Sequence, residues 1–238
     1  MPVEAPRRVV DLGCGPGDVT VRLAERWPGA DITGVDHSPQ MLERARSMAG
    51  GEHVAWVEAD AARWEPGESL DVIYSNAALH WIDGHAELFP RLMERLAPGG
   101  CLAVQMPLSF DQPSHVLLRA TLADGGVGGG PLGDEALRVA MARRWVASAR
   151  DYLAWLAPHA SDLDVWQTTD FQRLPGEDAV YGWVSGTALR PVEQGLDAHD
   201  LARFVDVYQT RLREAYPRGA DGLTLFPFSR LFVVATRR

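Results

Sequence analysis

"VVDLGCGPGD", Val9 to Asp18, sets an apolar run against an acid and then places glycine at 13, 15 and 17. The stretch leads into "VTVRLAERW", where Val19, Leu23 and Trp27 recur four residues apart, so it reads as strand, tight turn and helix. The pattern repeats downstream. "ADITGVD" is a second strand, followed by a helix in "SPQMLERARSMA" with Ser38 as N-cap and Pro39 at its first position. "HVAWVEAD" and "LDVIYSNAAL" are a third and a fourth strand, "HAELFPRLMERLAPGG" a helix closed by Pro98-Gly99-Gly100, and "CLAVQMP" a fifth strand. Strands separated by helical crossovers predict an α/β fold with a doubly wound, mostly parallel sheet.

After Met106 the alternation breaks. Glycine and proline punctuate "ADGGVGGGPLGD", read as a mobile connection, and "EALRVAMARRWVASARDYLAWL" is helical. "DVWQTTDFQRL" is a strand, "GEDAVYGWVSGTAL" and "DLARFVDVYQTRLREAY" are helices, and "SRLFVVATRR" is a closing strand. The expected organisation is a cofactor-binding core over 1–106, a mostly helical cap insertion over 107–163, and final sheet strands with substrate-facing helices over 164–238.

Composition narrows the chemistry. The 238 residues carry a formal charge of −9, which argues against nucleic-acid binding. All 23 basic residues are arginine, so lysine Schiff-base chemistry and a phosphate-loop lysine are excluded. Any anion must be met by arginine, which suits planar carboxylates and phosphates. Cys14 and Cys101 belong to no paired-cysteine spacing, and the seven histidines show no metal-ligand spacing, so no metal is expected. Without a long apolar run or a signal-peptide pattern, the chain reads as cytoplasmic and free of membrane partners.

In a doubly wound sheet, ligands bind beyond the carboxyl ends of the strands, which makes the glycine loop the default site. Asp11, Asp36 and Asp60 stand at the ends of three successive strands. Asp36 is placed to accept from both hydroxyls of a ribose, and Asp60 from an exocyclic amine, with the Ala61 N–H facing a ring nitrogen. The set describes an adenosine-bearing ligand without a pyrophosphate site. A dinucleotide would want G-x-G-x-x-G, whereas the spacing here is G-x-G-x-G, and Asp18 behind it opposes a phosphate.

"DLGCGPG", "GVDHSPQML", "VEAD" and "DVIYSNAALHW", in this order over roughly Arg7 to Met106, resemble the motifs of class I S-adenosylmethionine-dependent methyltransferases. The resemblance implies a Rossmann-like methyltransferase fold with S-adenosyl-L-methionine as cofactor. It implies Gly13 and Gly15 against the methionine moiety, Asp36 on the ribose and Met41 packed on the adenosine. Asp60 and Ala61 would read the adenine, Asn76 and Ala77 would hold the methionine amine through backbone groups, and Asp11 would orient the loop or reach that amine. A finer similarity, to the trans-aconitate 2-methyltransferase family, rests on "SNAALHW", "VWQTTDFQRL" and "WVSGTALRP", the last like that family's W-x-x-G-T-x-L-R-P segment. Members of that family carry a helical segment ahead of the first strand, where only Met1–Pro6 stand here.

The implied reaction is methyl transfer to a carboxylate of a small polycarboxylate, a group already ionised at neutral pH, which explains why no nucleophile or triad is found. Arg190, in "GTALRP", is the first choice for holding the acid; Arg143, Arg144 and Arg173 rank behind it. His80 and Trp81 follow the fourth strand, and Tyr181 and Trp183 are pocket walls or the apolar face of a helix. Three alternatives remain: the same fold acting on another small molecule, a nicotinamide-dependent oxidoreductase, and a non-catalytic binding protein.

Overall fold

The computed structural model describes residues 2–186 and 188–238, so Thr187 of the "GTALRP" segment lies outside the described residues. Seven strands form one sheet in the order β3-β2-β1-β4-β5-β7-β6. They are β1 (Arg8–Leu12), β2 (Asp31–Asp36), β3 (Val54–Glu58), β4 (Leu70–Asn76), β5 (Leu96–Pro107), β6 (Ala160–Pro175) and β7 (Leu223–Arg237). β1 to β5 are parallel neighbours, with β1 paired to β2 from Arg8↔Asp31 to Leu12↔Val35 and to β4 over Val9↔Val72 to Asp11↔Tyr74. β7 runs antiparallel beside β5, from Cys101↔Thr236 to Pro107↔Arg230. The doubly wound, mostly parallel sheet expected from the sequence is present.

The chain divides into two units. The first comprises Met1–Pro107, Trp145–Thr168 and Arg230–Arg238, and the second Leu108–Arg144 and Thr169–Ser229. The boundary drawn at 106 falls beside the end of β5. The one at 163 falls inside β6, and Trp145–Thr168 returns to the first unit, so the region after β5 is not one contiguous insertion.

In the first unit, β1 is buried along nearly its whole length because parallel strands are covered on both faces. Val9, Ile32, Val54 and Val72 pack with Leu23 and Trp27 of the first crossover, where α1 spans Asp18–Arg26. The buried face of α1 differs slightly from the spacing-of-four reading. Val19 is half-buried while Thr20 is fully buried, because the Thr20 hydroxyl has a partner in the sheet described below. α2 (Pro39–Ser47) starts where the sequence places it, with the Ser38 side chain accepting from Met41 N and proline in the first turn. α3 (His85–Glu94) ends before Pro98-Gly99-Gly100, and those residues belong to the irregular start of β5.

In the second unit, α4 (Pro113–Asp124), α5 (Glu135–Met141), α7 (Ala179–Ser185), α8 (Arg190–Gly195) and α9 (Ala198–Ala215) contribute to one apolar cluster that includes Leu118, Leu122, Val192, Phe204 and Tyr208. The long helical run read from Glu135 to Leu156 is two helices, since α6 (Ala149–Leu156) starts afresh at a capping box formed by Ser148 and Asp151. The glycine tract after α4, read as a mobile connection, is anchored at several points, although Val127 within it is fully exposed. Arg203 Nε donates to Gly125 O at 2.8 Å, Leu132 N donates to Leu122 O at 2.8 Å, and a side chain at Gly126 would press on Val207.

Trp56 lies across Gly34 of β2, where any Cβ would collide with the indole ring. Gly34→Ala is therefore expected to cost about 1–3 kcal/mol of overpacking. A lowered urea midpoint would register that loss, and adding Trp56→Leu to the same chain should recover part of it.

Candidate active site

β1 sends its crossover to β2 on one side, while β4 lies against its other side, so strand order reverses between β1 and β4. The carboxyl ends of these two strands flank the crevice where a doubly wound sheet binds ligands. The buried Ser75 hydroxyl ties them together, donating to Leu12 O at 2.7 Å.

The glycine loop leaves β1 in a shape held by its neighbour. Gly13 N and Cys14 N both donate to Val35 O, at 2.8 and 3.0 Å, and Gly15 N donates to Asp36 Oδ2 at 2.8 Å. Gly13, Gly15 and Gly17 have φ of 74°, 54° and 91°, a region that L side chains avoid. A Cβ on Gly13 would strike Ala78, whereas one on Gly15 would meet nothing within 4 Å. Gly15 thus leaves a backbone cradle into which a ligand fits, and an adenosine-bearing cofactor suits the acids around it.

Asp36, 8% exposed, also accepts Ser38 N on Oδ1 at 2.9 Å. Its carboxylate therefore braces the loop, and each oxygen keeps a further lone pair for a ligand hydroxyl. Asp11 is more enclosed, at 2% exposure, and accepts the Thr20 hydroxyl at 2.6 Å. Burial raises its carboxyl to about 7, the Thr20 hydrogen bond works against that rise, and the nearby Asp36 charge adds to it. Sequence reasoning missed Thr20, because a threonine on a helix of apolar spacing carries no signal of its partner.

Asp60 sits two residues past the end of β3 rather than on it, exposed, with Ala62 N donating to its Oδ1 at 2.8 Å. Ala61 beside it is half-buried, as is Met41 near the start of α2. Asn76 and Ala77, at the carboxyl end of β4, are exposed. Ala77 has φ 52°, the sole positive φ outside glycine among the described residues, and its N–H donates to Gln105 O at 3.0 Å. Such a conformation costs on the order of 1–3 kcal/mol and concentrates at ligand sites.

His80 and Trp81 lie on the 3-10 turn Leu79–Trp81. Below that turn, His85 Nε2 donates to Leu79 O at 2.9 Å, which leaves Nδ1 to accept the Tyr152 hydroxyl at 2.6 Å. This buried strut was also missed from sequence, since 67 residues separate its two side chains. His80 Nδ1 is buried without a hydrogen-bond partner, and burial pushes the imidazole down to about 4, so the ring is neutral at physiological pH. Trp81 is 53% exposed.

The other candidates belong to the second unit. Trp183 is partly exposed and packs against Phe226. Tyr181 packs edge-on against Tyr208, and burial, then Glu193 and Asp178, raise its phenol, an acidic setting that repels a carboxylate. Arg190 opens α8 and is exposed. Arg144 and Arg173 are paired, with Asp111 and Asp221 respectively.

A family of methyltransferase domains matches residues 9–100, from β1 into β5. The trans-aconitate 2-methyltransferase of Streptomyces coelicolor is 50% identical over 98% of this chain and 77% of its own length. That of Methylobacterium nodulans is 46% identical over 100% of this chain and 89% of its own. The chain belongs to the trans-aconitate 2-methyltransferase family. It is a methyltransferase of the S-adenosylmethionine-dependent class. Among solved structures, the phosphoethanolamine N-methyltransferase 2 of Haemonchus contortus in complex with S-adenosyl-L-methionine aligns with TM-score 0.55 at 18% identity, over 100% of this chain and 50% of its own, a likeness of fold.

The buried Asp11 gives stability a distinct pH dependence. Its folded pKa of about 7 stands above the ordinary value of ~3.9, so the folded chain retains a proton that the unfolded chain loses in between. Asp11's contribution is therefore full below about pH 4 and disappears as pH rises through about 7. Asp11→Asn, whose amide oxygen still accepts from Thr20, should remove this dependence. In thermal unfolding from about pH 5 to about pH 8, the Tm of the variant should gain on that of the wild type as pH rises.

Proposed function

We propose that the protein transfers a methyl group from S-adenosylmethionine to one carboxylate of a small polycarboxylic acid, trans-aconitate, giving a monomethyl ester. The observation that carries this reading is the near-full-length identity to relatives named for that acid, which extends through the second unit as well as the glycine loop. When bound, the cofactor supplies an electrophilic methyl group on a sulfonium.

The tasks left to the protein are to bind, orient and exclude water. In this reading Gly13 and Gly15 lie along the methionine moiety, Asp36 takes the ribose, and Met41 packs on the adenosine. Asp60 and Ala61 meet the adenine. Asn76 and Ala77 offer backbone groups to the methionine amine, a cation that the neighbouring Asp11 favours once ionised. The acceptor carboxylate is ionised at neutral pH and needs no general base. Positioning alone can supply ~7–11 kcal/mol when reacting atoms are held about 3–3.5 Å apart. His80, neutral, acts only through a ring N–H on a carboxylate, and the aromatic surface that excludes water comes from Trp81 in the first unit, with Tyr181 and Trp183 the candidates in the second. The charge that recruits an anion to a chain of net −9 must come from arginine, Arg190 among them.

Incubating the purified protein with S-adenosylmethionine and trans-aconitate should yield a methyl ester detectable by mass spectrometry. The absence of ester across a panel of related polycarboxylates would overturn the substrate. Asp36→Ala removes the brace of the loop and the ribose acceptor together, and calorimetry should show cofactor affinity at least about tenfold weaker, the scale of ~1.4 kcal/mol.

A further inference from the structure

In the second unit, two guanidinium groups converge on one aromatic ring, with a histidine near one of them. Phe110 lies just past β5, which ends at Pro107. The guanidinium carbons of Arg119 and Arg144 stand 4.0 and 4.2 Å from the Phe110 ring centroid. Arg119 Nη2 donates to Phe110 O at 2.8 Å, which fixes the long side chain along α4. Arg144 makes a two-pronged pair with Asp111, at 2.8 and 2.7 Å. His115 completes the group. Its Nδ1 meets Ser114 Oγ at 3.2 Å, and burial together with the Arg119 charge pushes it down to about 4.

The charges do not cancel. Asp111 is engaged by both prongs of Arg144, while Arg119 has no carboxylate within ion-pair distance among the described residues. With His115 neutral, the cluster carries a net positive charge in a chain whose formal balance is −9. Arg119 is half-buried, and desolvation is the main influence lowering its guanidinium pKa. A partly desolvated guanidinium with most of its N–H groups unspent is costly unless a ligand compensates it.

We infer that Arg119, held by Phe110 and supported by Arg144 and His115, is a binding site on the second unit for one carboxylate of a small polycarboxylic acid. The inference rests on the polycarboxylate reading above and supplies it with a cation that the sequence did not single out. Arg119 acts as a specificity residue: it pairs with one carboxylate through a fork of N–H donors and rejects acids that lack it. The Arg144–Asp111 pair keeps the second guanidinium against the ring, so that the aromatic face presents Arg119 in one orientation.

The test compares steady-state kinetics of the wild type, Arg119→Gln and Arg119→Lys with trans-aconitate, and inhibition by glutaconate, which lacks the central carboxylate. Arg119→Gln should raise KM for trans-aconitate at least about tenfold and leave the dissociation constant for S-adenosylmethionine within about twofold. Arg119→Lys keeps the charge and the donor to Phe110 O, so it covers the case in which the neutral variant fails to fold; it should raise KM severalfold. If the wild type discriminates trans-aconitate from glutaconate, the Gln variant should lose that preference. Wild-type turnover with an unchanged KM in a folded variant would overturn the role of Arg119 and leave the methyl-transfer reading standing. A wild type that neither binds nor methylates trans-aconitate would overturn both.

Discussion

The site depends on the hydrogen bonds by which the end of β2 holds the loop after β1. Val35 O receives Gly13 N and Cys14 N, and the Asp36 carboxylate receives Gly15 N. These bonds exist because the β1–β2 register brings Leu12 level with Val35, so each strand's last residues lie beside the other's. Satisfied from one side by the neighbouring strand, the loop turns its unfilled face outward at Gly15, where no protein atom approaches the position of a Cβ. A buried backbone must have its polar groups paired, and here the pairing also shapes the cradle.

Behind the loop stands an electrostatic balance. Two acids, Asp11 and Asp36, are buried near each other with no arginine paired to either carboxylate among the described residues; their hydrogen-bond partners are a hydroxyl and backbone N–H groups, and His37 Nδ1 stands 3.7 Å from Asp36 Oδ1. A site built this way suits a cationic ligand, whose charge offsets the burial cost of Asp11. The second unit carries arginines instead, and Arg144 grips Asp111 there with two N–H groups. That pair shows a guanidinium fork fitting a carboxylate within the second unit.

Much of this was legible in the sequence because it is local. Alternating strands and helices over the first 106 residues, the glycine spacing and the acids near strand ends follow from backbone preferences read within a few residues. Ser38 and Pro39 begin a helix, and the loop glycines adopt positive φ, for the same reason. Where local reading erred, packing was the cause. The glycine tract after α4 was expected to be mobile, yet small residues there allow close contact with Arg203 and Val207.

The sequence by itself determined the sheet, the nucleotide-like loop and the kind of cofactor it suits, since each is written in contiguous residues whose φ preferences and polarity act on their own neighbours. Tertiary structure alone decided that Thr20 is the partner of Asp11, that Ala77 is held strained by Gln105, that His85 and Tyr152 brace the turn carrying His80, and that Arg119 lies against the Phe110 ring. The physical reason is distance along the chain. Hydrogen bonds and charge pairs between residues tens of positions apart form only once the packed strands and helices bring their side chains within about 3 Å, and no local preference encodes which partner arrives.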